Sequence, residues 1–404
     1  MTRHARAWVL ATAAATAALT LACSTTIQGA AVKAPGQASS DDVDLALLDA
    51  GNFPTTPRPP LGVAGDPMNG GWAEGRRLAS AVVGPWEVDA DLIDYAQLQS
   101  GVVKDTDAVN SLLGAPMGEA LGGHNLLAGF SSARHTDKGP YKDLTSMVLE
   151  LASPADATAA VTDMAAKGTS LTMPFDTKPI PTQPFSIPRY PTTTALSYHW
   201  TAHYPEPGGP RFTVTALTAH GQYVLAQTAT SDDKPDVAAQ LIATTLDLQQ
   251  QLIDKFKPTP RDQLAQLPLD PDGLMAHTVA PRQENESISD GIYDAHGALH
   301  LATGDPVHLA ALFKSANVQQ VSYVLETSVY QTPDAAAAAR IVADETGPQQ
   351  VGGISGMPKA KCFNETLAYW CVSRADRYAY EMQNEQEHAL HQMMAAQYRM
   401  LTGK

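Results

Sequence analysis

Two stretches of this chain follow one plan, and that repetition constrains the fold more than any other feature. Ser146–Lys167 reads SMVLELASPADATAAVTDMAAK, and Ser322–Glu345 reads SYVLETSVYQTPDAAAAARIVADE. Each is an apolar, β-prone run, then Ser/Thr-Pro with a nearby Asp, then an alanine-rich helix. Ser153 and Thr332 have N-cap chemistry, with Pro154 and Pro333 at the first helical position, where a missing N–H costs nothing. Further on, a strand through Tyr223 precedes a helix with Val237, Leu241, Leu248, Leu252 and Phe256 at helical spacing. A strand through Tyr378 precedes a second such helix, with Leu390, Met394, Tyr398 and Leu401. Self-similarity on this scale marks a repeated structural unit. The expected fold is α+β: two related copies of a β-α-(loop)-β-β-β-α unit, with antiparallel sheets and helices packed on one face.

The caps lie 179 positions apart (153 to 332) but the tyrosines only 155 (223 to 378), so the first copy carries 24 extra residues. These fall in 168–192, which has six prolines from Pro174 to Pro191 and therefore forms neither a helix nor a central strand. KPTPRDQLAQLPLDPDG, Lys257 to Gly273, is rich in Pro and Asp and reads as the join. The expected organisation is a first domain over 42–257, a linker over 258–273 and a second domain over 274–404.

Residues 1–22 read as a secretion signal. Arg3 and Arg6 precede the apolar run Ala7–Ala22, which is short and weakly hydrophobic for a spanning helix. Cys23 follows Leu21-Ala22 as in a bacterial lipobox, although Thr20 stands where that motif carries Leu. Acylation of Cys23 would anchor the chain to the outer face of the cytoplasmic membrane through two acyl chains; without it the chain is secreted. Residues 23–41 are small and polar, too poor in apolar surface to fold, and read as a tether.

The chain holds 27 basic and 42 acidic residues, a net charge of −15. Loss of Arg3 and Arg6 with the leader leaves 25 against 42, or −17. That excludes a nucleic-acid partner. Cys362 and Cys371 stand equidistant from Thr366, so a turn there sets them opposite each other on a hairpin. In an oxidising compartment this is a disulfide rather than a redox or metal pair, which uses the closer Cys-x-x-Cys spacing.

Phosphate-loop, dinucleotide, His-Glu-x-x-His and Ser-x-x-Lys motifs are absent, so no cofactor is expected. VGGISGMPK around Ser355 lacks the second glycine of a nucleophile elbow. Glu385, His388 and His391 have the spacing of a helical metal site, against the alternative of a solvated polar face. His296, His300 and His308 form a second group, on an expected strand and helix start. YHWTAHY (Tyr198, Trp200, His203 and Tyr204) is either a half-buried aromatic strand or one wall of a ligand groove under the proline-rich insertion. Arg58 is a candidate ligand contact, or a partner for a carboxylate.

LLDAGNFPTTPRPPLG, Leu47 to Gly62, reads as the first ordered strand and turn of the folded body. With EGRRLASAVVGPWEVD, Glu74 to Asp89, it resembles the N-terminal signature of an actinobacterial envelope lipoprotein family of unknown function. Gly51, Asn52, Pro54, Thr55, Pro57 and Arg58 carry the resemblance, which runs from Val43 to the C-terminus. It implies an envelope location and a two-part body, and no reaction. The functional expectation is a non-enzymatic envelope protein that binds a lipid, glycan or protein in a groove between the copies or under the insertion. The alternatives are an assembly lipoprotein, or a hydrolase of envelope material.

Overall fold

Seven strands of the first half pair antiparallel into one sheet. They are β1 (Leu92–Tyr95), β2 (Leu126–Thr136), β3 (Lys142–Leu151), β4 (Gln183–Ile187), β5 (Tyr190–Ala202), β6 (Gly209–His220) and β7 (Tyr223–Ser231). Their spatial order is β1-β2-β3-β7-β6-β5-β4, with the two-residue strand Gly101–Val102 added on β2. The second half builds another antiparallel sheet from β8 (Gly291–Tyr293), β9 (Gln320–Val324), β10 (Thr327–Gln331), β11 (Lys361–Asn364), β12 (Tyr369–Ala375) and β13 (Tyr378–Asn384). Its order is β8-β9-β10-β13-β12-β11. The computed structural model describes residues 42–404 except 173–177, 203–208, 233, 281–286 and 366. The proline-rich stretch contributes β4 at the sheet edge, where Pro184 interrupts no internal ladder.

In each sheet the strand before the alanine helix lies beside the last strand. Besides the short helices Pro85–Val88, Thr106–Leu113 and Met117–Leu121, the described residues form α1 (Pro67–Leu78), α2 (Pro154–Lys167), α3 (Pro235–Ile253), α4 (Ala295–Leu299), α5 (Pro306–Ala316), α6 (Ala335–Asp344) and α7 (Glu387–Thr402). Ser153 caps α2, its hydroxyl accepting from the Asp156 N–H at 3.1 Å. Thr332 does not cap α6. Asp334 does, accepting from the Ala337 N–H at 2.8 Å, because the Thr332 hydroxyl is taken by the Arg377 carbonyl of the adjoining turn.

The helices cover both faces of their sheets, not one. Ala160 and Met164 of α2 pack with Met147, Leu217, Val224 and Ala226, whereas Leu241, Ile242 and Leu246 of α3 pack with Val148, Val214 and Leu225. Neighbouring residues of β7 thus point into different cores. The cause is composition: β7 is buried along almost its whole length instead of alternating, so each face needs cover. In the second sheet α6 and α7 likewise join different cores.

The first described residues pack against the sheet furthest from them in sequence. Leu45–Leu47 is a 3-10 turn rather than a strand. Leu48 is buried with Ile354, Met357 and Met394, and Val43, Leu45 and Phe53 pack beside it. The Asp44 N–H donates to the Gly356 carbonyl at 2.8 Å, and Arg399 of α7 donates to the Leu45 carbonyl at 2.8 Å. Arg58 meets backbone instead of a carboxylate, donating to the Met275 carbonyl at 2.6 Å. The stretch from Lys257 to Gly273 carries the 3-10 helix Arg261–Gln266 and bonds back to the segment before α1, Ala64 N–H to Leu267 carbonyl and Leu269 N–H to Gly62 carbonyl.

Asp41–Lys404 is one compact unit, and its largest core draws on both sheets. Phe130, Val148 and Leu225 of the first share it with Tyr293, Val321 and Ala379 of the second and with Phe313 of α5. Arg134 of β2 is wholly buried at this seam. Its guanidinium donates to the Ile93 carbonyl at 2.6 Å and, from the other sheet's half, to Leu299 at 2.9 Å and Ala302 at 2.6 Å. Trp86 and Tyr95 lie 5.3 Å from it. Burial pushes its pKa down to about 10, so it stays charged at neutral pH. Arg134→Ala strands three buried carbonyls and is expected to cost about 3 kcal/mol or more of stability. Urea unfolding measures it, and a loss below about 1 kcal/mol would show that those carbonyls find other partners.

Candidate functional site

At the junction of the two halves α1 ends in two arginines, Arg76 and Arg77. The helix starts at Asp66, whose carboxylate accepts from the Met68 and Asn69 N–H groups at 2.9 and 3.0 Å. Gly71 lets α1 lie directly on β2, since a Cβ there would stand 2.1 Å from the Leu127 carbonyl oxygen. The placement carries the last turn of α1 to the mouth of a cleft of about 760 Å³. The end of α3 and the residues after it supply Leu252, Lys255, Phe256 and Lys257. The join supplies Leu267, Leu269 and Pro271, and β8 with its exit supplies Ile292, Tyr293 and Asp294. The volume lies within the range of small-molecule sites.

The lining is apolar with a cationic rim. Arg76 seats its stem over Gly291, where a Cβ would come within 2.5 Å of Arg76 Cδ. Arg77 is tied down: it donates to Glu74 Oε2 at 2.5 Å, to Thr259 Oγ1 at 2.6 Å and to the Lys257 carbonyl at 3.2 Å. Its guanidinium lies 5.4 Å from the Phe256 ring centre. Lys255 and Lys257 are exposed and have no carboxylate partner among the described residues. Asp294 is the acidic group of the lining, and its carboxylate is engaged on the Gly297 N–H at 2.7 Å, capping α4. Tyr293 is 1% exposed, and its hydroxyl lies beside Arg76 without a well-aligned hydrogen bond. Burial pushes the Tyr293 pKa up, against the pull of the Arg76 charge. The hydroxyl is therefore a neutral donor at any physiological pH.

Behind α1 sits a buried acidic pair. Glu74 accepts from the Thr259 N–H at 2.7 Å and its hydroxyl at 2.9 Å, clamping the join to α1. Glu150 of β3 is 1% exposed and accepts from Gln222 at 2.9 Å. Burial first, then the Glu74 charge, push Glu150 up to about 7.

The residues singled out in the sequence lie elsewhere. Tyr198 is buried in the core under α2, and Trp200 is 39% exposed, donating to Thr213 Oγ1 at 3.0 Å. Neither lines the cleft. His203 and Tyr204 fall outside the described residues, as does Cys23. His296 and His300 are on α4 and its C-cap, not on a strand, because Asp294 starts a helix directly after β8. The three histidines have separate partners: Glu87 for His296 at 3.1 Å, Ser132 Oγ and the Ala79 carbonyl for His300, and Asp344 for His308 at 2.7 Å. Cys362 and Cys371 form a disulfide across the β11–β12 hairpin, in direct register. Glu385, His388 and His391 do not converge: α7 begins at Glu387, after Glu385, and His391 faces the disulfide. The cleft was missed because its cations come from two stretches far apart in sequence, 76–77 and 255–257. The one signal was EGRR, two adjacent arginines ending a glycine-containing helix.

Fold and cleft define an α+β protein of two large antiparallel sheets, with a small two-stranded one from Ser170–Leu171 and Ile180–Pro181, and a basic-rimmed, apolar cleft at the junction of the large pair. The chain belongs to the family described as Domain of unknown function (DUF7373): its N-terminal part matches residues 61–269 and its C-terminal part residues 274–404. No curated protein matches it in sequence. Among solved structures, the extracellular domain of PknH from Mycobacterium tuberculosis is similar at 14% identity and a TM-score of 0.31. That match covers 45% of this chain and 97% of the other, a likeness too loose to transfer a fold or a function.

The buried Glu150 makes stability pH-dependent. The folded protein keeps a proton that the unfolded chain releases between about pH 4.5 and 7, so this contribution is full below pH 4.5 and lost as pH rises through 7. Its ceiling is about 3 kcal/mol. Glu150→Gln is expected to raise the urea midpoint at pH 8 relative to the wild type and to narrow the gap at pH 5. Parallel profiles for the two proteins would rule this out.

Proposed function

We propose that this is an exported envelope protein, tethered through acylated Cys23 and residues 23–41, that binds an anionic amphiphile in the cleft without chemical turnover. The observation that carries the reading is the cleft itself. Arg76, Arg77, Lys255 and Lys257 converge on an apolar cavity in a chain of net charge −15. A concentration of cations against the overall charge favours an anionic head group, and Leu252, Phe256, Leu269 and Ile292 favour an apolar body. Tyr293 offers a buried hydroxyl to an acceptor on the ligand. A lipid or acylated glycan of the envelope has this chemistry.

The same reading takes the two sheets as copies of one β-α-(loop)-β-β-β-α unit. Both place the strand before the alanine helix beside the last strand, β3 by β7 and β10 by β13. Duplication explains why the binding groups sit at the junction, where two half-units meet around a shared core. The resemblance of the N-terminal signature to actinobacterial envelope lipoproteins supports the location.

Titration with a fluorescent long-chain fatty acid and with its methyl ester tests the binding. The acid is expected to bind more tightly, and Lys255→Glu with Lys257→Glu to weaken the acid about tenfold or more, equivalent to about 1.4 kcal/mol, while leaving the ester unchanged. Equal loss for both probes, or no binding of either, would overturn the assignment. For the anchor, Cys23→Ala is expected to move the mature protein from the detergent phase to the aqueous phase, and unchanged partitioning would remove the lipid.

A further inference from the structure

On the far side of the second sheet, a soft ligand set lies apart from the cleft. Cys362 and Cys371 stand opposite each other with Cα atoms 4.1 Å apart, and Met382 is the register partner of Cys371 on β13. The three residues form a row across three strands, roofed by α7, which packs on β12 and β13. A ring nitrogen of His391 and the two sulfurs all lie within 4.8 Å of one another. His391 Nε2 is shut off from solvent and makes no hydrogen bond. The nearest ionic group is the Glu387 carboxylate one turn back, at 4.0 Å, and His388 is the other charge acting on the ring.

A plain structural disulfide accounts for the sulfurs but not for an imidazole beside them whose buried Nε2 makes no hydrogen bond. We propose that Cys362, Cys371 and His391 form a redox-gated site for a thiophilic cation of the zinc type. In the oxidised chain the sulfurs are joined and hold no ion. A dithiol reductant passes two electrons and two protons to the disulfide, breaking the S–S bond and closing to its own disulfide. The cation then takes both thiolates and the imidazole, and the two thiol protons go to solvent. Exchange with a small-molecule disulfide, which takes up the two electrons and leaves as two thiols, re-forms the Cys362–Cys371 bond and expels the ion. The Cys-x8-Cys spacing resembles no zinc motif because the ligands come from three elements. Cross-strand register supplies the proximity that a short loop supplies elsewhere.

The test uses the full chain, reduced with a phosphine, which takes oxygen from water and leaves two thiols, then freed of reductant without air. Cd²⁺ is the probe, read by its ultraviolet thiolate-to-metal charge-transfer band, with Zn²⁺ as competitor. The expected result is one equivalent of Cd²⁺ per reduced chain, displaced by Zn²⁺, and no band for the oxidised chain. His391→Gln, which keeps the helix and its bulk, is expected to weaken Cd²⁺ at least tenfold, with circular dichroism confirming an intact fold. Equal affinity for His391→Gln and wild type would overturn the site, since the thiols alone would then account for binding. Absence of the band in the reduced wild type would overturn it as well, including where reduction itself opens the hairpin.

Discussion

The buried guanidinium of Arg134 is the contact on which the rest of this structure depends. A buried charge persists only where acceptors replace the water it has lost, and here main-chain carbonyls from both halves of the chain accept from the two terminal nitrogens. Leu299 and Ala302 leave α4 in the course needed to present those carbonyls, and His300 between them is fixed by Ser132 and Ala79 of the first half. The two sheets therefore share one core and one polar seam. They are not free to settle as separate globules.

That seam explains the cleft. With α4 and β8 drawn against β2 and α1, the ends of α1 and α3 and the join from Lys257 onward stack around a gap that none of them fills. Glu74 fixes the join by accepting from Thr259 and orients Arg77 at the same time. A buried carboxylate so used must be paired, and Arg77 is both its partner and a wall of the cleft. Structural and binding roles thus meet in one side chain. Lys255 and Lys257, without a carboxylate partner among the described residues, carry the net positive charge of the rim.

Legibility from sequence differed by kind of feature. The strand-helix order was readable, because alternation, alanine content and Ser/Thr/Asp-Pro signals act over a few residues. Ser153 was recognisable as a cap. Thr332 misled because Asp334, two places on, offers the same chemistry and the Thr332 hydroxyl was claimed by Arg377, a residue 45 positions away. The cysteine pairing was readable from spacing because a hairpin is local. The one-face helix arrangement failed because β7 gives no alternation to say which face is inside. Arg58 was misassigned because its acceptor, the Met275 carbonyl, is 217 positions distant and backbone carbonyls leave no trace in residue type.

What the sequence alone determined is the content of the two halves: antiparallel strands, alanine-rich helices, an edge role for the proline stretch and a hairpin closed by two cysteines. These follow from short-range sterics and pattern, which each segment carries within itself. Tertiary structure alone decided that the segment from Val43 to Phe53 lies on the second sheet, that both sheets share a core through Arg134, and that four cations meet at one cavity. Those outcomes depend on contacts between residues more than a hundred positions apart. Their energy comes from burying one surface against another, and no single segment records which surface it will meet.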